Sequence, residues 1–188
     1  MGSAAVVLIV FCERILLLWT ADPELTARVA PIAGVLALGT GLNCLLWIPY
    51  QMQVAHGWTA LTIRINTVAV ILLVPTILWV VPAYGGIGAA WVWVVLNAGF
   101  LLFSIYFMHR RLLPTEKWLW YGQDVVVPLA VAIAAALFCR WLLPNDLSRV
   151  IELGALLACS GCVMIAAAAA APLVRAQLAQ HLMVGGQE

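Results

Sequence analysis

With 65% of its 188 residues apolar and only 9% charged, the chain cannot hide its hydrophobic surface in one soluble core, since ordinary globular chains carry about 25% charged residues. The excess apolar surface must face membrane lipids, and the length allows several spans but no sizeable soluble domain. A net charge of +1 lacks the basic stripe that nucleic-acid binding needs, so nucleic acid is excluded as a partner.

The N-terminus, Met1-Gly-Ser-Ala-Ala-Val-Val, has no basic n-region and no cleavage site after its apolar run. It reads as a chain entered mid-protein. A first span is predicted over residues 4–19, interrupted by Glu13-Arg14. One charge at the centre of a membrane costs about 2.5–3.5 kcal/mol. The pair therefore either meets partners on other helices or lies near the interface because the span begins upstream, and the sequence leaves both open.

Residues 20–28 form a polar connector in which Asp22-Pro23-Glu24 has the form of a helix start. The second span is predicted over 29–54. Gly34, Gly39 and Gly41 recur along it, small enough to let a neighbouring backbone approach. Asn43, and Pro49 just before Tyr50-Gln51, give its far end a polar, kinked character. After a loop over 53–59, Arg64 and Asn66 open the third span, 60–81, with a kink expected at Pro75. The fourth span, 87–108, begins Gly88-Ala-Ala-Trp91 and carries Asn97 in its middle.

Residues 65–109 are forty-five positions without Asp, Glu, Lys or Arg. They divide at Pro82-Ala-Tyr-Gly-Gly-Ile-Gly88, residues that tolerate or impose unusual backbone angles. A loop of about five or six residues permits only an antiparallel return. These two spans are thus a transmembrane hairpin, with Trp79, Tyr84, Trp91 and Trp93 flanking its turn as an interfacial belt.

The longest loop, 109–124, holds Lys117 and Trp118-Leu-Trp120-Tyr121, fit to lie as a short amphipathic piece among headgroups. A fifth span follows over 125–143, with Arg140 near enough to its end to snorkel. Pro144-Asn-Asp-Leu-Ser148 turns the chain into a sixth span, 151–171. The fold class expected is all-α: a polytopic bundle of about six membrane-spanning helices over residues 1–171, then a cytoplasmic tail, 172–188. With alternating loops, Arg64, Arg110, Arg111, Lys117 and Arg175 gather on one face, and Arg28, Arg140 and Arg149 on the other. The positive-inside rule makes the first face cytoplasmic, and with it both termini.

Cys12, Cys44, Cys139, Cys159 and Cys162 all fall in apolar stretches and read as small packing residues. Cys159-Ser-Gly-Cys162 has redox or metal spacing but no second pair or following His. His56, His109 and His181 sit at predicted helix ends or in the tail. There is no His-Glu-x-x-His, no pair of intramembrane carboxylates and no Gly-rich phosphate loop with a Lys. An enzyme is not expected, nor a metal or other cofactor.

What stands out is a sparse set of polar side chains at membrane depth: Glu13, Arg14, Asn43, Arg64, Asn66 and Asn97. Such groups are substrate-cavity candidates, because hydrocarbon excludes them unless they face a bundle interior or a wet cavity. Asn43 and Asn97 also read as interhelical hydrogen-bond partners, worth about 0.6 kcal/mol on average, and Arg64 as a snorkelling arginine. A kinked helix with arginine and amide nearby suits the pyrophosphate or sugar hydroxyls of a lipid-linked glycan.

The run Pro49-Tyr-Gln-Met-Gln-Val-Ala-His-Gly-Trp-Thr59, then Asn66, then Pro82-Ala-Tyr-Gly-Gly-Ile-Gly-Ala-Ala90 followed by Asn97, resembles the polysaccharide and O-antigen flippases. These belong to the multidrug/oligosaccharidyl-lipid/polysaccharide exporter superfamily. Leu18-Trp19-Thr-Ala-Asp-Pro-Glu24 fits the outer end of the preceding helix. The resemblance covers residues 11–111; the last two helices match only in being hydrophobic. It implies two helical lobes, usually of twelve or fourteen helices, in the bacterial cytoplasmic (inner) membrane. It implies alternating access that moves an undecaprenyl-pyrophosphate-linked oligosaccharide outward for surface-polysaccharide, O-antigen and lipopolysaccharide biosynthesis.

On that reading the chain supplies only the last six helices, and missing N-terminal helices or a second membrane chain complete the cavity. The family has no short active-site signature, so the resemblance carries no residue over as catalytic. Three other readings stand beside it. One is a small-molecule antiporter of the same superfamily, which would want interior acidic residues. Another is a non-catalytic accessory or remnant subunit of a glycan-assembly complex. The third is a membrane glycosyltransferase or acyltransferase, which would want carboxylates or histidines clustered in space.

Overall fold

The computed structural model describes residues 2–111, 120–144 and 147–171, and the regular structure among them is helical throughout. The chain divides into two compact units, Met1–Thr115 and Glu116–Glu188.

The first unit opens with α1 (Gly2–Val10) and α2 (Cys12–Thr20), bent by 70° at Phe11. The Phe11 N–H still donates to the Val7 carbonyl at 2.9 Å, and its carbonyl accepts from the Ile15 N–H at 2.9 Å. Its φ of −108° and ψ of 13° nevertheless leave the helical region. The stretch expected as one span over 4–19 is thus two short helices. The break falls at its most buried side chain, Phe11, and not at Glu13-Arg14, which lie within α2.

A two-residue turn leads to α3 (Pro23–Leu45). The Asp22 carboxylate accepts from the Glu24 N–H at 2.9 Å and the Leu25 N–H at 3.0 Å, with Pro23 at the first helical position. Such a cap is worth about 1 kcal/mol, and it starts the helix ahead of residue 29, where the apolar run begins. The helix yields at Leu46, whose N–H donates to the Asn43 carbonyl at 3.0 Å, and resumes as α4 (Trp47–Ala55). Pro49 accounts for the break, since it brings no N–H for the Leu45 carbonyl one turn back.

Helix α4 ends in a Schellman motif. The Trp58 N–H donates to the Gln53 carbonyl at 2.9 Å and the Gly57 N–H to the Val54 carbonyl at 3.0 Å, with Gly57 at φ 65°.

Helix α5 (Thr59–Arg111) contains one break, Gly85, at φ 62° and ψ −151°, a conformation open almost only to glycine. The expected five- or six-residue loop is therefore a single residue, with a first arm over 59–84 and a second over 86–111. Helical dihedral angles run through Pro75, where the sequence suggests a kink. The arms fold back on each other, since Ile65 on the first and Phe100 on the second line one cavity. Near the turn, a Cβ on Gly88 would come within 2.7 Å of Val80 and of Tyr84, so only glycine lets the hairpin close there.

The second arm runs parallel to α3. A Cβ on Gly86 would meet Ile32, one on Gly39 would overlap the Trp93 ring, and the Asn43 amide bonds that of Asn97. Each pair is 54 residues apart. The α3 members 32, 39 and 43 recur at spacings of seven and four, the period of a left-handed helix seam. Helix α1 meets another side of α3, where a Cβ on Gly41 would stand 3.0 Å from that of Ala5. Gly34 faces open space, so two of the three α3 glycines make close approaches.

In the second unit a π-helical stretch, Trp120–Val126, runs into α6 (Val127–Leu142), and α6 packs on α7 (Arg149–Ala170). Ala132 and Ala136 on α6, and Leu156, Val163 and Ala170 on α7, are the buried positions. The loop piece around Lys117 and the tail from Pro172 lie outside the described residues.

Among the described residues, three helical runs are long and apolar enough to cross a membrane: Pro23–Ala55, Thr62–Phe103 and Arg149–Ala170, at 33, 42 and 22 residues. The bent pair α1–α2 makes a fourth if taken as one span.

Candidate functional site: an uncharged polar cavity

Two hydrogen-bonded pairs frame the site. At the α3 seam the Asn43 Nδ2 donates to the Asn97 Oδ1 at 2.7 Å, and the Asn97 Nδ2 donates to the Trp93 carbonyl at 2.8 Å. Asn97 is fully buried. Its amide therefore uses both ends inside the protein, as a buried polar group must. Beyond the Leu46 break, the Thr62 hydroxyl donates to the Gln53 Oε1 at 2.7 Å, tying α4 to the first arm of α5. Gln53 is only 1% exposed.

Between these pairs lies a cavity of about 290 Å³. Its polar lining comes from Asn43, Gln53, Thr62 and Asn66. Its aromatic lining is Trp47, Tyr50 and Phe100, with Leu46 and Ile65 completing the wall. The Trp47 and Tyr50 rings stand 6.2 Å apart at 42°. No lining residue carries a formal charge at neutral pH. Amides both donate and accept, so the lining can bind and orient a hydroxyl-rich group. None of the described lining residues is Asp, Glu, His, Lys, Arg or Cys.

A second, larger space of about 830 Å³ runs between the two arms of α5. Val68, Leu72, Val95 and Phe103 typify its walls. Its Thr76 hydroxyl donates to the Leu72 carbonyl at 2.7 Å within the helix, leaving the groove apolar. Ile65, Phe100 and the helical turns around them border both spaces.

The six candidates from the sequence divide here. Asn43 and Asn66 line the polar cavity, and Asn97 stands directly behind Asn43. Arg64 is exposed and outside it. Glu13 is exposed and Arg14 half-buried on α2, which contributes nothing to the lining. Sequence reasoning missed Trp47, Tyr50, Gln53 and Thr62. A signal existed: positions 43, 46, 47, 50 and 53 follow the i, i+3, i+4, i+7, i+10 spacing of one helical face.

Among the described residues no buried side-chain nitrogen or oxygen lacks a partner, and no three His, Cys, Asp or Glu gather closely enough to hold a metal. Compared with protein-family models, with curated proteins and with solved structures, the chain matches none.

Proposed function

We propose that this chain is part of a non-enzymatic membrane translocase that moves a lipid-linked oligosaccharide across the bacterial cytoplasmic membrane for surface-polysaccharide or O-antigen biosynthesis. The observation that carries this reading is the junction at Ile65 and Phe100, where an uncharged polar cavity adjoins an apolar groove. A ligand that fits both has a hydroxyl-rich head and a long hydrocarbon tail. The resemblance of residues 49–59 and 82–90 to polysaccharide flippases supports the same ligand class.

Six spans follow if α1–α2, α3–α4, the two arms of α5, residues 120–142 and α7 each cross once. The cavity, lined by residues 43–53, 62–66 and Phe100, then lies nearer to the end that carries Arg64 and the Arg110–Arg111 backbone than to the Gly85 turn, and the positive-inside rule makes that end cytoplasmic. Loading from the inner leaflet requires that side.

A second reading, an accessory subunit of a glycan-assembly complex, draws on the exposure of the helices. Within the apolar 18-residue stretch of each of Pro23–Ala55 and Thr62–Phe103 only 6% of residues are buried, which leaves wide faces for lipid or further helices. The antiporter reading gains nothing from a cavity without a carboxylate.

The test is depletion of the protein in the cell that makes it. Lipid-linked oligosaccharide should accumulate on the inner leaflet, by its inaccessibility to externally added glycosidase, while surface glycan falls. Unchanged surface glycan at full depletion overturns the translocase reading.

A further inference from the structure

We propose that the cavity between α3, α4 and α5 is a subsite for one neutral sugar ring, and that the phosphate of the ligand lies outside it. The proposal takes from the translocase reading only that the sugar is carried on a lipid; the rest comes from the cavity.

Charge decides first. A phosphate needs a cation or several converging N–H donors when it leaves water, because an unpaired buried charge is among the most expensive groups to hold. The cavity offers neither Lys nor Arg. Arg64 lies one residue before Ile65 in the chain yet is exposed and outside the lining.

Hydroxyls are a different matter. Asn43 spends one N–H on Asn97 and keeps its Oδ1 and second N–H for a ligand. The Asn66 amide bonds to none of the described residues while lining the space. Together they present donors and acceptors in both senses, which a polyol can satisfy and a hydrocarbon cannot.

Shape points the same way. Trp47 and Tyr50 lie on one side of α4, and Phe100 comes from the second arm of α5. The C–H face of a pyranose gains apolar burial and dispersion against such rings. The volume of about 290 Å³ lies at the small end of ligand pockets, which run from about 300 to 1,000 Å³. It suits a single ring, so the other sugars of an oligosaccharide extend beyond it. The tail leaves past Ile65 and Phe100 into the groove between the arms.

The experiment uses the full chain in lipid nanodiscs and an octyl glucoside bearing a diazirine on its sugar. After illumination, adducts are mapped by mass spectrometry, with unlabelled octyl glucoside or octyl phosphate as competitor. The expected adducts fall within 46–50 or 62–66, compete away with octyl glucoside and persist with octyl phosphate. Asn66→Leu should lower the apparent affinity about tenfold, the worth of one ligand hydrogen bond. Because Asn66 is exposed, that variant retains its helix content, which circular dichroism checks. Equal competition by octyl phosphate, adducts confined elsewhere, or undiminished labelling of Asn66→Leu would each overturn the subsite. Sugar capture without any export phenotype on depletion removes the translocase reading and leaves the subsite standing. An export defect with undiminished capture by Asn66→Leu does the reverse.

Discussion

The two arms of α5 share an almost uniformly apolar composition and differ in what surrounds them. On the second arm Ala90, Val94 and Asn97 are buried along the face that meets α3. Among the described side chains of the first arm only Ala69 is buried, and Ile71, Leu78 and Trp79 stand 65%, 71% and 79% exposed. Hydropathy does not separate these surfaces, because lipid is as apolar as a leucine side chain and gives two helices little reason to meet. What separates them is shape and hydrogen bonding. Gly39 admits the Trp93 ring, Gly86 admits Ile32, and one turn beyond Gly39 the Asn43 and Asn97 amides close on each other. The first arm has a bulky outer face, and its hydrogen bond to another helix, from Thr62 to Gln53, is made at its start and to α4.

Substitutions should report that difference in descending order. Gly39→Leu places a side chain where the Trp93 ring lies. Thermal unfolding in detergent should show a loss of about 3 kcal/mol, the upper range for overpacking. Gly85→Ala adds a Cβ at φ 62° and ψ −151°, and should cost about 2 kcal/mol by the same measurement. Asn97→Leu keeps the volume but removes both hydrogen bonds of the amide. The expected loss is about 1 kcal/mol, and Asn43→Leu in the same chain should restore part of it. Leu78→Ala, on the exposed face of the first arm, should stay within about 0.5 kcal/mol of the parent. A Leu78→Ala loss as large as that of Gly39→Leu would erase the contrast between the arms.

The same physics decides how much could be read in advance. The helical class and the hairpin were legible because charge-free runs of membrane length have few other outcomes. The start of α3 was legible from Asp22-Pro23-Glu24, since capping is local chemistry. The 70° bend at Phe11 was not, because burial of one ring depends on neighbours far along the chain. The reduction of the 82–88 turn to Gly85 alone was also hidden, as several residues there could have taken the strained dihedral angles. Of the site, Asn43 and Asn97 were legible as interhelical hydrogen-bond formers, and they do bond between helices, but that each is the other's partner required the parallel register of α3 and the second arm. Arg64 drew attention for its charge, and charge is what this cavity excludes. The aromatic wall escaped notice because Trp47 and Tyr50 look like ordinary interfacial residues until Asn43 and Gln53 are seen on their helix face.

Asn66 lines a polar cavity, whereas Leu78 on the same arm is 71% exposed on an apolar outer face suited to lipid, and this contrast separates the two positions. It is tested most directly in a chain whose five cysteines are replaced by alanine, carrying either Asn66→Cys or Leu78→Cys in a bilayer. The rate of reaction with a charged, water-soluble thiol reagent is then measured with and without octyl glucoside. The structure predicts rapid labelling at 66, slowed by the glucoside, and little at 78 under either condition. Equal, slow labelling at both positions, indifferent to the glucoside, would contradict it.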